Sequence, residues 1–379
     1  MRGYLFSPDV VRVVFVTGVV VSVVFYERMQ LTTGGAIVPG YMALSVEYPA
    51  SLVSTLLAGY LTWLVVNKVI VRRKILYGRR KFELELLVGV GFVTLSILIE
   101  LLAGIFTRGD AALATIGFLV PGVIAHDMFR QGPKKTLVAI FATTVILACL
   151  LVIFKTVLPL FGANPRPVRT LAWVSGYDSR LRVPAVAISV LISMVVYERL
   201  SIRCGGFIGG AYLAYMAPRW GDLLFVAFVA FFTWFVVVKI MMPRLLLFGR
   251  RKLSTIVLVG ALIGWTVDIC VRLVTDGRYE PGLGLPLMIL MVPALIADDA
   301  QRQGWGRTVL GVGLSTSGVY GVVNLLSALL VGIGALRAGT SLSWFSAYAP
   351  AILLAFLGVV AFWLLRLREP QSSAVIGRP

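Results

Sequence analysis

The chain is 379 residues long, 59% hydrophobic and 14% charged, with a mean hydropathy of +0.93 and a formal charge of +18. A soluble domain carries about a quarter charged residues, so an ordinary soluble enzyme is excluded. The basic excess lies in short stretches between apolar runs and has no aromatic nucleic-acid surface beside it, which points to membrane topology and anionic lipid rather than nucleic acid.

Apolar runs near the spanning length of about 20 residues recur along the chain. They are Val10–Tyr26, Ser51–Val71, Leu84–Phe106, Thr136–Leu160, Arg182–Tyr197, Leu223–Met242, Leu253–Val274, Thr308–Val331 and Ser343–Leu365. None shows the strict alternation of barrel strands, so the expected fold is all-α, a polytopic helical membrane protein. Arg12 interrupts the first run and no small-residue cleavage site follows, so that run reads as a retained helix. Cys149, Cys204 and Cys270 are scattered in apolar settings and suggest no disulfide framework.

Between these runs lie two shorter segments interrupted by Pro-Gly: TGGAIVPGYMA at 33–43 and TIGFLVPGVIA at 115–125. Pro lacks an N–H and clashes with the preceding turn, while Gly lets backbones approach. Each segment is too short to cross as a simple helix. It is therefore expected to cross as a broken helix buried among its neighbours, with the freed amides at a half-helix N-terminus suited to an anion. The simpler reading is a Pro kink or a small-residue packing contact. Pro39, Gly40, Tyr41, Pro121 and Gly122 are accordingly candidate sites for a carboxylate-bearing ligand, with Arg130, Gln131, Arg302 and Gln303 beside them.

Adding 171 to a residue number in the first half lands on a counterpart in the second. Tyr26–Arg28 returns as Tyr197–Arg199, Gly34–Gly35 as Gly205–Gly206, Thr62–Trp63 as Thr233–Trp234, and Tyr77–Lys81 as Phe248–Lys252. After a one-residue insertion, Val120–Gly132 returns as Val292–Gly304. The chain is a tandem duplication, with a first repeat over 1–165, a second, diverged repeat over 180–334, and an extra helix with a polar tail over 335–379. Each repeat should hold about four long helices and two short broken segments. Lys and Arg concentrate on one side if every short segment crosses, giving thirteen crossings with parallel halves and a cytoplasmic C-terminus.

The basic turns Tyr77, Gly78, Arg79, Arg80, Lys81 and Gly249, Arg250, Arg251, Lys252 read as topological anchors or as partner-docking surfaces. The charged sets Glu27/Arg28, Glu198/Arg199, Asp127/Arg130 and Asp299/Arg302 are candidate ion pairs, the last two at i,i+3 spacing. Glu100, Asp268 and Lys155 are embedded more deeply and are functional candidates by position. The single histidine, His126, excludes multi-histidine metal sites, no metal ligand set is expected, and no phosphate-binding loop is present.

The order G-x-x-V-P-G-Y (Gly35–Tyr41), Y-G-R-R-K-F (Tyr77–Phe82), V-P-G-[LV]-I-A-x-[DN] (Val120–Asp127) and R-Q-G (Arg130–Gly132) resembles the PgsC/CapC family. That family is the membrane subunit of bacterial poly-γ-glutamate synthesis and export. The second half is similar with departures: Gly210 and Ala211 for Pro39 and Gly40, Phe248 for Tyr77, Ala294 for Gly122. The resemblance implies a multi-pass protein of the cell membrane in a poly-γ-glutamate synthase and export complex, not expected to be catalytic alone. The implied partners are a cytoplasmic Mur-ligase-like amide ligase of CapB/PgsB type, which would bind the ATP and Mg, a membrane-anchored extracytoplasmic CapA/PgsA-type subunit, and the polymer itself. This chain is expected to bind no cofactor. The rival reading is a self-sufficient secondary transporter of a small organic anion.

Overall fold

The computed structural model describes residues 8–46, 49–73, 78–102, 117–157, 181–217, 219–247, 249–282, 286–332 and 358. Tyr77 and the extra helix expected over 335–379, Gly358 apart, lie outside them, as do the side chains of Glu100, Lys155 and Arg250.

Twelve helices are described, and no strand among the described residues. The first copy holds α1 (Pro8–Met29), α2 (Val38–Leu44), α3 (Pro49–Leu64), α4 (Gly78–Leu102), α5 (Val120–Gln131) and α6 (Pro133–Val157). The second holds α7 (Arg182–Leu200), α8 (Gly209–Met216), α9 (Trp220–Trp234), α10 (Gly249–Val274), α11 (Pro286–Gln303) and α12 (Trp305–Gly332). Backbone groups find no water in a bilayer, so apolar runs of this length close their hydrogen bonds within helices. Seven of these helices are long and apolar enough to cross a membrane. An eighth, α4, has 25 residues but carries Glu83 and Glu85 near its start. Both α3 and α9 widen into a π-helical stretch, Val65–Ile70 and Phe235–Met241, each carrying a lysine, Lys68 or Lys239, that reaches outward.

Each short segment forms a short helix in copy one, with a correction to where it breaks. Pro39 and Pro121 do not interrupt helices but stand in the first turns of α2 and α5, where the missing N–H costs nothing. Residues 30–37 are irregular, and α2 then runs back along α1: Thr33 meets Ser22, and Gly40 meets the backbone of Val14 and Phe15. Likewise α5 runs back along α4, with Gly122 against Leu86 and His126 against Glu85. The second copy departs at its second short segment, where α11 is an unbroken 18-residue helix running through Pro293.

Packing repeats at two levels. Within copy one, α1 packs on α2 and α6, α4 on α5 and α3, while α2 packs on α6 and α5 on α3. These six pairings are unchanged when α1–α2–α3 and α4–α5–α6 exchange roles, so the weak resemblance of the two Pro-Gly segments has a structural counterpart, although α5 also packs on α6. Copy two repeats these pairings with α7–α12. The copies then join by two equivalent contacts, α1 on α10 and α7 on α4, the arrangement of a two-fold, self-complementary interface, and α1 also touches α11.

Charge decorates that interface in the same way. Arg80 pairs with Glu198 at 3.6 Å, and its counterpart Arg251 takes Glu27 in a bidentate grip. These replace the expected neighbour pairs Glu27/Arg28 and Glu198/Arg199: each acidic residue reaches the other copy. A third contact has no twin. Arg12 on α1 lies 2.7 Å from Asp268 on α10, with both side chains buried. Asp268 is also paired with Arg272.

Candidate functional site

Between the copies, at the ends of the helices that carry the basic turns, lies a cavity of about 520 Å³. Its walls come from matched elements: the residues leading into α2 and α8, the first turns of α4 and α10, and the inner faces of α5 and α11. Deeper walls are apolar, with Ile37, Val38, Leu86 and Leu119 facing Ile208, Val257, Met291 and Leu295. Ionisable side chains sit toward the mouth: Arg79, His126, Arg203, Asp298, Asp299 and Arg302.

The motifs place these groups. Gln131 accepts from the Thr32 N–H at 2.8 Å and donates to the Thr32 carbonyl at 2.6 Å and to Thr136 at 3.0 Å. Gln303 does the same for Arg203, at 2.8 Å both ways, and donates to Thr308 at 3.1 Å. The repeated Arg-Gln-Gly is thus a bracket that fastens the irregular segment before α2 or α8 to the α5–α6 or α11–α12 turn. Gly132 closes α5 with φ +90, a left-handed conformation that the open space around it does not explain and that a side chain would resist.

Asp299 fastens the same segment in copy two: its Oδ2 accepts from the Gly205 and Gly206 N–H groups at 2.9 and 3.1 Å, and Arg203 lies 3.6 Å from Oδ1. The expected Asp299/Arg302 pair is therefore not made. Arg302 bonds Asp298 instead, at 2.8 Å and i,i+4 spacing, because Asp299 faces the segment before α8. Asp127, its counterpart, is buried at the equivalent position.

The basic turns point inward more than a docking surface requires. Arg79 donates to Glu83 at 2.7 Å, and its guanidinium stacks over Tyr197 and Phe207 of the other copy at 4.1 and 5.1 Å. Lys81 is buried over the Phe129 ring with Glu85 at 3.7 Å, and Lys252 is buried against Asp298 at 3.2 Å. Arg80 and Arg251 stay exposed and bridge the copies. Gly78 and Gly249 begin α4 and α10 in left-handed geometry.

The Pro-Gly glycines face neighbouring helices rather than a ligand. A Cβ on Gly122 would stand 2.6 Å from Leu86 Cα, and one on Gly89 2.7 Å from the Gly122 nitrogen. A Cβ on Gly18 would likewise stand 2.8 Å from the Gly40 Cα. In copy two Ser189 stands where Gly18 does, and its hydroxyl accepts from the Ala211 N–H at 3.2 Å and donates to the Phe207 carbonyl at 2.8 Å. That hydroxyl takes up one of the free N–H groups in the first turn of α8. Tyr41 is buried beside Gly117.

Sequence reasoning passed over Glu85 and Arg203. Glu85 is fully buried and bonds the Nδ1 of His126 at 2.8 Å. Its signal was a carboxylate set early in an apolar helix, but the pairing needs the antiparallel register of α4 and α5. Copy two has Ile256 and Asp298 at these places, so there Lys252 draws its carboxylate from α11 instead of from its own helix. No group of three or more His, Cys, Asp or Glu among the described residues is arranged to hold a metal.

The family model for the capsule biosynthesis protein CapC matches twice, over residues 17–137 and 188–309. A capsule biosynthesis protein CapC of Bacillus anthracis and a PGA biosynthesis protein CapC of Bacillus subtilis (strain 168) are each 33% identical over 144 residues, covering 38% of this chain and 91% of the relative. No solved structure matches.

Proposed function

This chain belongs to the CapC family of capsule biosynthesis proteins, and from that premise we propose that it is the membrane subunit of a poly-γ-glutamate synthase, two family units fused into one chain. The observation that carries the reading is the double family match, joined to a relative named for PGA biosynthesis that aligns over nearly its whole length. A cytoplasmic amide ligase of CapB/PgsB type would bind ATP and Mg and form the amide bonds. This chain would receive the growing polymer at the basic ends of its helices, with a CapA/PgsA-type subunit on the opposite face.

The geometry limits the role further. A polyanion gains nothing from walls of Leu, Ile, Val and Met, because burying unpaired carboxylates there is costly. The three arginines at the mouth, each already paired, can share their remaining N–H groups with the carboxylates of an end unit, which supports a site for the end of the polymer rather than a conduit.

Purified chain in vesicles should yield polymer only when the ligase, ATP, Mg and glutamate are supplied, and should bring the ligase down on co-purification. Polymer formed by the ligase at the same rate without this chain would refute the reading. Uptake of labelled glutamate by vesicles holding this chain alone would favour the small-anion transporter.

A further inference from the structure

His126 is the only histidine of the chain, and its setting differs from that of the other ionisable groups at the mouth. Nδ1 lies 2.8 Å from Oε2 of a wholly buried Glu85. Lys81 lies 3.7 Å from the other oxygen. A carboxylate that accepts here takes the proton of Nδ1 as its hydrogen bond and leaves Nε2 with the lone pair, and the test below reads that tautomer directly. The ring lines the cavity, is 30% exposed, and is held edge-on by Phe82 at 4.7 Å. The other charges around it are Arg79 and Lys81 on α4, Asp127 and Arg130 on its own helix, Asp298, Asp299 and Arg302 on α11, and Arg203 before α8. Arg79, Arg203 and Arg302 each hold a carboxylate already, yet a guanidinium has five N–H groups and can share them with a second one.

We propose that His126 is the proton-accepting base of the cavity, with Glu85 as its positioning residue, and that it serves the amino end of a carboxylate-bearing amino-acid unit. The identity of that unit as a γ-glutamyl end rests on the proposed function; the base does not. The step is a proton transfer. Nε2 takes a proton from the ammonium, leaving an imidazolium held by Glu85 and a neutral amine with its lone pair, and no other bond forms or breaks. Glu85 favours the transfer because its carboxylate sits on the imidazolium that results, while the arginines at the mouth take the carboxylates. The site is single: Ile256 and Asp298 remove both members of the pair from copy two. The duplicated chain is thus chemically one-sided across a nearly symmetric cavity.

One histidine gives one imidazole signal. The full chain, purified in nanodiscs without a polyhistidine tag and labelled with 15N-histidine, should show the Nδ1–H tautomer near neutral pH, and Glu85→Gln should lose that preference. γ-Glutamylglutamate should move the signal toward imidazolium, and its N-acetyl derivative, which keeps the carboxylates but lacks the ammonium, should not. An Nε2–H tautomer, silence toward both probes, or an equal response to both overturns the proposal. In cells, His126→Asn and His126→Asp should each lower polymer output by about 100-fold at unchanged protein level, and unchanged output overturns it too. Polymer made by the wild type while His126 stays silent defeats the base alone; a responsive His126 in a chain that supports no polymer defeats the capsule reading alone.

Discussion

Gln131 and Gln303 show how a side chain that reads as a ligand-binding candidate can be consumed by the backbone. Each amide closes three hydrogen bonds around an irregular segment that has no helical partner of its own. Removing such a group leaves a part-buried N–H and C=O unpaired, which costs about 1–3 kcal/mol. Gln131→Ala should therefore lower the thermal midpoint of the detergent-solubilised protein, and Gln303→Ala should do so by a similar amount. A shift in only one of them would mean that the two brackets are not equivalent. The recurrence of Arg-Gln-Gly was plain in the sequence, but its role was not, since the bonded partners lie about a hundred residues away.

The elements meet along glycine seams. Gly18 against Gly40 and Gly89 against Gly122 bring α1 to α2 and α4 to α5 at backbone contact, the packing that small residues allow where no hydrophobic drive operates between helices. Copy two uses Ser189 with Ala211 and Gly260 with Ala294, so its seams already carry one Cβ or more. Gly122→Val should prevent stable insertion, because its side chain meets the backbone of Leu86 and Glu85, which cannot yield. Ala294→Gly should be accepted with little change in yield. Quantifying both by fluorescence-detected chromatography would test whether α4 and α5 must touch. The Pro-Gly signature was legible as an interruption of two short segments. That its proline starts a helix and its glycine serves a neighbour was decided by the antiparallel return of α2 and α5.

Across the whole molecule, two kinds of charge pair join the copies, and they should behave differently. Arg80–Glu198 and Arg251–Glu27 are largely exposed and screened by solvent, so single alanine changes there should leave stability almost unaltered. Arg12–Asp268 is buried, and removing one partner strands a charge in apolar surroundings at a cost of about 3–5 kcal/mol. Asp268→Ala should thus destabilise strongly, and the double change Arg12→Leu with Asp268→Leu should recover much of the loss. An equal loss in single and double variants would show that the pair is itself required. Because only one of the two equivalent interfaces carries it, the pair also distinguishes α1–α10 from α7–α4, a distinction that identical chains could not make.

Composition, run length and the 171-residue recurrence were enough to establish an all-helical membrane protein made of two copies, since hydropathy and repetition are properties of the chain read in order. The partners of the motifs were not, because each lies on another element: Glu27 on Arg251, Gln131 on Thr32, Asp299 on two glycine amides, His126 on Glu85. Local sequence sets which residues are available and how they are spaced. Only the antiparallel return of the short helices and the two-fold meeting of the copies brings an imidazole, a buried carboxylate and three arginines to one apolar cavity.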